Sequence, residues 1–186
     1  PQQPMNLIRS VLHMLWMALT VIPWATAVVL VAPFVSKARV YRLCRGWLAL
    51  TMHAGGWILG IKNRVTGLED LPTGAGDGAV LLVKPQSAWE AFCMPALMPH
   101  PLAYVFKREL LYIPFFGWAA QTFDTIRIDR SLGGDAIPLM LSDARAALDR
   151  GCRIIIFPEG TRKAPLAEPD YRYGIVRMYE ELGAPV

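Results

Sequence analysis

The feature that most constrains this chain is an uncharged stretch from Ser10 to Ser36, which is almost wholly apolar between Val11 and Val35. A transmembrane helix needs about 20 apolar residues, so this stretch is long enough to cross the core of a bilayer. Pro23 lies within it and predicts a kink, because proline cannot donate the hydrogen bond of the helix interior. The sequence therefore predicts that part of the molecule meets lipid.

The charged residues are unevenly distributed and support that prediction. Residues 1–68 contain seven cations and no carboxylate, whereas the rest of the chain carries 12 cations against 15 carboxylates. Four cations follow the apolar stretch directly: Lys37, Arg39, Arg42 and Arg45. Only Arg9 precedes the stretch, so the positive-inside bias predicts a cytoplasmic location for everything after it. Cations beside apolar helices suit anionic lipid headgroups better than nucleic acid.

A second uncharged run, Gly46–Ile61, is short for a membrane span and contains two adjacent glycines. It is better suited to a helix lying in the membrane interface, with Trp47 and Trp57 at the depth of the headgroups. Two alternatives stay open. Both runs could be buried helices of a soluble core, or the first could be a signal peptide cleaved near Ala25-Thr26-Ala27, although its apolar character continues through Val31.

After Gly67 the sequence alternates between short apolar runs and amphipathic segments, which is typical of an α/β domain. The predicted strands are 79–83, 103–106, 125–128 and 152–157, and the predicted helices begin at 87, span 135–150 and span 172–182. Because the strands are apolar and alternate with helices, we expect a mixed, largely parallel sheet flanked by helices. The predicted division is a membrane-associated helical pair in residues 1–66 and an α/β domain in 67–186.

Polar residues follow three of the predicted strands, at the edge where open α/β sheets bind ligands. The three segments are Lys84-Pro85-Gln86-Ser87-Ala88-Trp89-Glu90, Asp129-Arg130 and Pro158-Glu159-Gly160-Thr161-Arg162. Arg130 and Arg162 would converge with a carboxylate on one edge. Guanidinium groups bind phosphate oxygens bidentately, and a glycine lets a ligand approach the backbone, so this set predicts a phosphate site.

The block Phe157-Pro158-Glu159-Gly160-Thr161-Arg162 resembles the signature of the glycerolipid acyltransferase family. Segment 84–90 matches the family's first motif at all but one position, and segments 107–117, 128–130 and 171–175 resemble further blocks in the expected order. The resemblance covers essentially the whole chain, including the apolar helical pair. It is strongest to the bacterial members that acylate 1-acyl-glycerol-3-phosphate to phosphatidic acid.

The resemblance implies a role for each site residue. Lys107, Arg130 and Arg162 would bind the phosphate of the acceptor, with Gly160 and Thr161 in the same site, Glu159 would organise it, and Glu90 would orient the catalytic base. The donor would be a thioester of acyl-carrier protein or CoA, and no cofactor or metal is expected. The implied location is the bacterial inner membrane, with the catalytic domain on its cytoplasmic face.

The sequence departs from the family at two places. Pro85 stands where the family has the histidine that acts as general base, and a proline ring cannot accept a proton, so very slow turnover is expected. The chain also ends at Val186, before the fourth motif of the family, so we expect a domain that is truncated at its C-terminus.

The same residues allow simpler interpretations. Ser87 and Glu90 form the pattern of a helix capping box, and single arginines are most often solvated. Phe115, Phe116 and Trp118 suit a core or a membrane interface as well as an acyl-chain wall. Three hypotheses therefore remain: an acyltransferase, a catalytically silent module that binds lipid phosphate, and an unrelated membrane scaffold that gives Glu159 and the arginines no role.

Overall fold

The computed structural model describes residues 2–67, 78–84, 86–98, 101–128, 136–161, 167–171 and 174–184. Its N-terminal part is a hairpin of two long helices. Helix α1 spans Gln2–Val31 and continues through Pro23, a 3-10 helix spans Ala32–Phe34, and helix α2 spans Lys37–Leu59. This hairpin matches the predicted helical pair.

Hydrogen bonds between the two helices show that they run antiparallel. Trp24 donates its indole N–H to the carbonyl of Leu43 at 2.8 Å, and Trp47 donates to the Thr20 hydroxyl at 3.1 Å. Nearer the start of α1, the buried His13 ring contacts the carbonyl of Thr51 at 3.4 Å. The two helices therefore lie side by side over most of their length.

The start of α2 corrects the sequence prediction. The uncharged run suggested a helix from Gly46, with the basic cluster outside it, but α2 begins at Lys37 and includes the whole cluster. Formal charge marks the edge of an apolar run and does not end a helix, because lysine and arginine are good helix formers. The cations consequently lie on α2 beside the apolar α1.

Helix α1 also bears on the interpretation of the apolar run as a soluble core. By length and composition, Met5–Phe34 is able to cross a membrane, and only 11% of its most apolar window is buried. A core helix of a soluble protein is mostly buried, so the structure disfavours that alternative.

All four described strands are parallel, in the order β1-β4-β2-β3, which agrees with the largely parallel sheet that the sequence predicted. Their bounds are Val80–Leu82 for β1, Leu102–Lys107 for β2, Thr125–Ile128 for β3 and Arg153–Ile156 for β4. Each lies where a strand was predicted. Helices α3, α4, α5 and α6 span Trp89–Leu97, Phe116–Ala120, Ala136–Asp149 and Gly174–Leu182, and a 3-10 helix, Arg108–Tyr112, precedes α4.

Both faces of the sheet are covered. Helices α5 and α6 bury Met140, Ala144 and Met178 against one face, in the same cluster as Ile154 of β4. On the other face, Tyr41 of α2 joins Ile155 of β4 in a second cluster. A parallel sheet needs cover on both faces, and here the N-terminal hairpin supplies part of one layer. The predicted boundary between residues 66 and 67 stays a prediction.

One ion cluster joins the hairpin to the α/β domain. The Asp124 carboxylate accepts from Lys37 of α2 at 2.9 Å and pairs with Arg150, which follows α5, at 2.7 Å. Burial alone would raise the pKa of Asp124, but its hydrogen bonds and charge interactions with the two cations hold that pKa below its usual value. Asp124 is therefore ionised at neutral pH and links three elements.

Replacing Asp124 with asparagine should lower the free energy of unfolding by about 1–3 kcal/mol at pH 7, because a neutral amide replaces the charged acceptor of Lys37 and Arg150. The depressed pKa stabilises the fold above the unfolded value of about 4, and this contribution is lost as pH falls through the folded pKa. Urea unfolding at pH 7 and pH 3 measures both effects. Asp149→Asn, at an exposed aspartate beside Arg150, is the matched control. An equal loss at both pH values would contradict the prediction.

Candidate active site

The pairing of β1 with β4 brings two of the predicted segments together. The N–H of Val83 donates to the carbonyl of Ile156 at 2.9 Å, which extends the pairing to the ends of both strands. Segment 84–90 therefore begins beside segment 157–162. The sequence prediction that these two share one edge of the sheet is confirmed.

Glu159 lies at this edge and is fully buried. Its Oε1 atom is 3.7 Å from Lys84 Nζ and accepts the backbone N–H of Asp170 at 3.4 Å, whereas Oε2 has no hydrogen-bond partner within the described residues. A buried carboxylate needs a charge or a donor nearby, and Lys84 supplies the charge. This arrangement suits a buried residue that holds the neighbouring segments of a site in place.

Sequence reasoning did not assign a role to Lys84. The lysine is half-buried, and its ammonium also donates to the carbonyl of Ala167 at 3.4 Å. It thus joins the end of β1 to the segment that follows the signature block. The available signal was a cation directly after one strand and a carboxylate directly after another, but their contact depends on β1 and β4 being neighbours.

Gly160 closes a tight turn in the signature block. Its N–H donates to the carbonyl of Phe157 at 2.9 Å, and its φ of 62° lies in the left-handed region that favours glycine. Thr161, the next residue, is exposed. The glycine is therefore required by the backbone conformation, in addition to the close approach of a ligand that the sequence suggested.

Glu90 occupies the first turn of α3 and makes the contacts of a capping box. Its carboxylate accepts the Ser87 hydroxyl at 2.7 Å and the backbone N–H groups of Gln86 and Ser87 at 3.0–3.2 Å. The Ser87 hydroxyl oxygen accepts the N–H of Trp89 at 2.9 Å. The simpler interpretation of this pair is thus confirmed, and it leaves the catalytic role of Glu90 as a prediction.

The same contacts set the ionisation of Glu90. Burial acts to raise the pKa of its carboxyl group, but the hydrogen bonds from the Ser87 hydroxyl and the neighbouring amides outweigh it and lower that pKa. Glu90 is therefore a carboxylate at neutral pH. A carboxylate held in this way can orient an imidazole by accepting its N–H.

The remaining predicted site residues are described only in part. Lys107 ends β2 with its backbone paired to Ile128 of β3, which places it at the same edge of the sheet, while its side chain lies outside the described part. Pro85, Arg130 and Arg162 also lie outside the described residues. Because β2 separates β3 from β4, the convergence of the two arginines stays a prediction.

An apolar cavity of about 120 Å³ lies where the hairpin meets α3 and α4. Its walls include Trp24, Trp47, Phe92, Tyr104, Phe116 and Phe123. Of the three aromatic residues that sequence analysis left open, Phe116 lines this cavity, whereas Trp118 is half-exposed and packs against Phe115 with ring centroids 5.1 Å apart. The cavity can take a hydrocarbon chain but offers few polar contacts.

Comparison with known proteins points to one family. The family model described as Acyltransferase matches residues 62–186. A 1-acyl-sn-glycerol-3-phosphate acyltransferase of Pseudomonas aeruginosa is 36% identical over 156 residues, which cover 83% of this chain and 59% of that protein. A protein of the same name from Cocos nucifera is 25% identical over 186 residues, covering 98% and 57%.

A mammalian relative extends the comparison. The 1-acyl-sn-glycerol-3-phosphate acyltransferase alpha of Mus musculus is 29% identical over 137 residues, which cover 74% of this chain and 47% of that protein. The chain spans about half the length of the curated relatives it matches. No solved structure gives a significant match.

Proposed function

This chain belongs to the acyltransferase family, and from that premise we propose that it transfers a fatty acyl group to the free sn-2 hydroxyl of 1-acyl-glycerol-3-phosphate, giving phosphatidic acid. The observation that carries the proposal is the pairing of β1 with β4, which sets Glu90's segment beside Glu159's segment. The names of the relatives support this substrate class. The acyl donor would be a thioester of acyl-carrier protein or CoA.

The proposed reaction needs a base at position 85. The base takes the proton of the acceptor hydroxyl, whose oxygen attacks the thioester carbonyl carbon. The C–S bond then breaks, and the leaving thiolate takes the proton back from the base. Glu90 would hold the imidazole that the family has at this position, since its carboxylate is ionised and fixed by hydrogen bonds.

The acceptor would bind at the same edge of the sheet, through residues other than Glu90. We assign the phosphate to Arg162, Arg130 and Lys107, with Glu159 and Lys84 supporting the turn at Gly160 from beneath. The acyl chain would enter the apolar cavity between the hairpin and α3. Burial of hydrocarbon there contributes roughly 0.8 kcal/mol per methylene group.

A second function is favoured by one observation, the proline at position 85. A chain with the phosphate-binding residues but no base would bind lysophosphatidic acid without acylating it. This catalytically silent module and the enzyme share every binding residue. They differ in the rate of acyl transfer.

We also propose that the hairpin lies in one leaflet of the bacterial inner membrane, with the α/β domain on the cytoplasmic face. Helix α1 exposes a series of large apolar residues: Leu7, Val11, Leu15, Leu19, Ile22 and Leu30. A spanning α1 would carry the cations of the antiparallel α2, and the sheet packed on it, to hydrocarbon depth. Charged side chains are costly there, which supports the in-plane arrangement.

Replacing Arg162 with alanine should weaken binding of lysophosphatidic acid by about 10- to 100-fold, because charge-assisted hydrogen bonds to phosphate are worth about 1.5–3 kcal/mol. Equilibrium binding to mixed micelles measures this without requiring turnover. Lysophosphatidylcholine, which blocks the phosphate with a choline ester, serves as the ligand control.

Arg177→Ala, at an exposed arginine of α6, is the matched protein control and should leave the affinity unchanged. Equal affinities for Arg162→Ala and the parent chain would show that Arg162 does not bind the phosphate. A loss of the same size for both lipids would assign it to general membrane attraction instead.

A further inference from the structure

Trp89, the residue before Glu90, is in unusually close contact with the membrane hairpin. Its indole ring lies against Gly55, a buried residue of α2. A Cβ atom at position 55 would lie 2.2 Å from Cη2 of the indole and 2.8 Å from Cζ3, which is closer than any real contact. Only glycine at position 55 allows the indole to occupy this place.

The polar edge of the same indole is also held by the hairpin. Its Nε1–H donates to Oδ1 of Asn63 at 2.7 Å, just beyond the end of α2, where Gly60 turns the chain with a φ of 74°. The buried His13 ring of α1 lies 6.2 Å from the Trp89 ring. Two residues of the hairpin and one just beyond it therefore contact this one side chain.

The backbone of Trp89 belongs to the network that holds Glu90. Its N–H donates to the Ser87 hydroxyl oxygen, and that hydroxyl donates to the Glu90 carboxylate. The two residues are also consecutive in the first turn of α3. A shift of the indole therefore moves this turn and changes the direction of the carboxylate.

We infer that Trp89 is a positioning residue, through which Gly55 of α2 and Asn63, just beyond α2, fix the orientation of the Glu90 carboxylate. The inference rests on the proposed function, because the orientation of Glu90 affects a rate only if Glu90 takes part in acyl transfer. A plain packing contact would require the glycine but not a hydrogen bond from the indole to an exposed asparagine. The helical pair would then orient Glu90 in addition to binding the membrane.

The kinetic test uses Asn63 in the Pro85→His background. Asn63→Ala removes the acceptor of the indole N–H and should lower kcat by up to about 10²-fold, the loss that a misplacement of about 1 Å at a catalytic group can cause, with KM for the acceptor unchanged. Asn63→Asp keeps an acceptor oxygen and should restore kcat. Lys62→Ala, at the neighbouring exposed residue, should change neither constant. Unchanged kcat in Asn63→Ala would overturn the inference.

A second readout requires no turnover and uses the chain with Pro85. The carboxyl carbon of Glu90, followed by NMR across pH, reports the hydrogen bonds that lower its pKa. Asn63→Ala should raise that pKa toward the usual value for glutamate, and Asn63→Asp should leave it low. If Pro85→His shows no acyl transfer, the proposed function fails, and this titration still decides the positioning role.

The two adjacent glycines of α2 provide a matched pair for the same readouts. Gly55→Ala should act like Asn63→Ala, whereas Gly56→Ala should have no effect, because a Cβ there meets only the Ile61 carbonyl oxygen at an ordinary 3.5 Å. Equal effects of the two alanines on the Glu90 titration would contradict the inference. If Gly55→Ala does not fold, the Asn63 variants, at an exposed position, carry the test.

Discussion

Replacing Pro85 with histidine is expected to raise the rate of acyl transfer to 1-acyl-glycerol-3-phosphate by about 10²- to 10⁴-fold, the usual contribution of a positioned general base. Glu90 is already ionised and held near the start of α3. An imidazole introduced at position 85 would therefore have a carboxylate available that is already ionised and held by hydrogen bonds. A proline ring at this position cannot accept a proton, so the parent chain should be slow.

The assay measures release of free thiol from an acyl thioester in the presence of lysophosphatidic acid micelles. Pro85→Ala, which removes the ring without adding a base, should stay as slow as the parent chain. Adding Glu90→Gln to the histidine variant should reverse most of the gain. A folded histidine variant with no gain would exclude the proposed mechanism, and high activity in all variants would indicate a different base.

The largest effect on stability is expected at Ile154, which is fully buried in the central strand β4. Its neighbours in the pairing are Val80 of β1 and Ala103 of β2, so it lies in the middle of the sheet. Ile154→Ala removes three carbon atoms from the core and leaves a cavity. The free energy of unfolding should fall by about 2–5 kcal/mol.

Denaturant unfolding of the detergent-solubilised chain, followed by far-UV circular dichroism, measures this loss. Val176→Ala is the control, because Val176 is 43% exposed on α6 and alanine is a better helix former. Its effect should stay within about 0.5 kcal/mol. A loss below 1 kcal/mol at Ile154 would mean that the two helical layers close around the smaller side chain.

The strands were predictable because each is a short apolar run between turn residues. The predicted and observed bounds of β3 agree at 125–128, and those of β4 differ by one residue at each end. The start of α2 was not predictable in this way. Its first turns are basic, and they are held in place by Tyr41 against the sheet and by Lys37 on Asp124, contacts that no local pattern contains.

In the candidate site too, local patterns identify some residues, and distant contacts decide the importance of others. Glu90, Glu159 and Gly160 could be identified from local motifs, and the structure places them around neighbouring strand ends. Lys84 and Trp89 were missed as separate site residues because their importance comes from Glu159 and Gly55, which are distant in the chain. Strand order decides which of these residues meet, and no local sequence pattern reveals that order.

The strand order also has a consequence for biosynthesis. Strand β1 pairs with β4 alone in the described sheet, although β2, β3 and α5 all lie between them in the chain. Parallel pairing between such distant segments is slow, and β4 leaves the ribosome late. The hairpin is therefore complete while β1 still lacks its partner strand. With the membrane location proposed above, we expect a nascent chain to bind lipid through its hairpin first and to complete its candidate site only after β4 has been made.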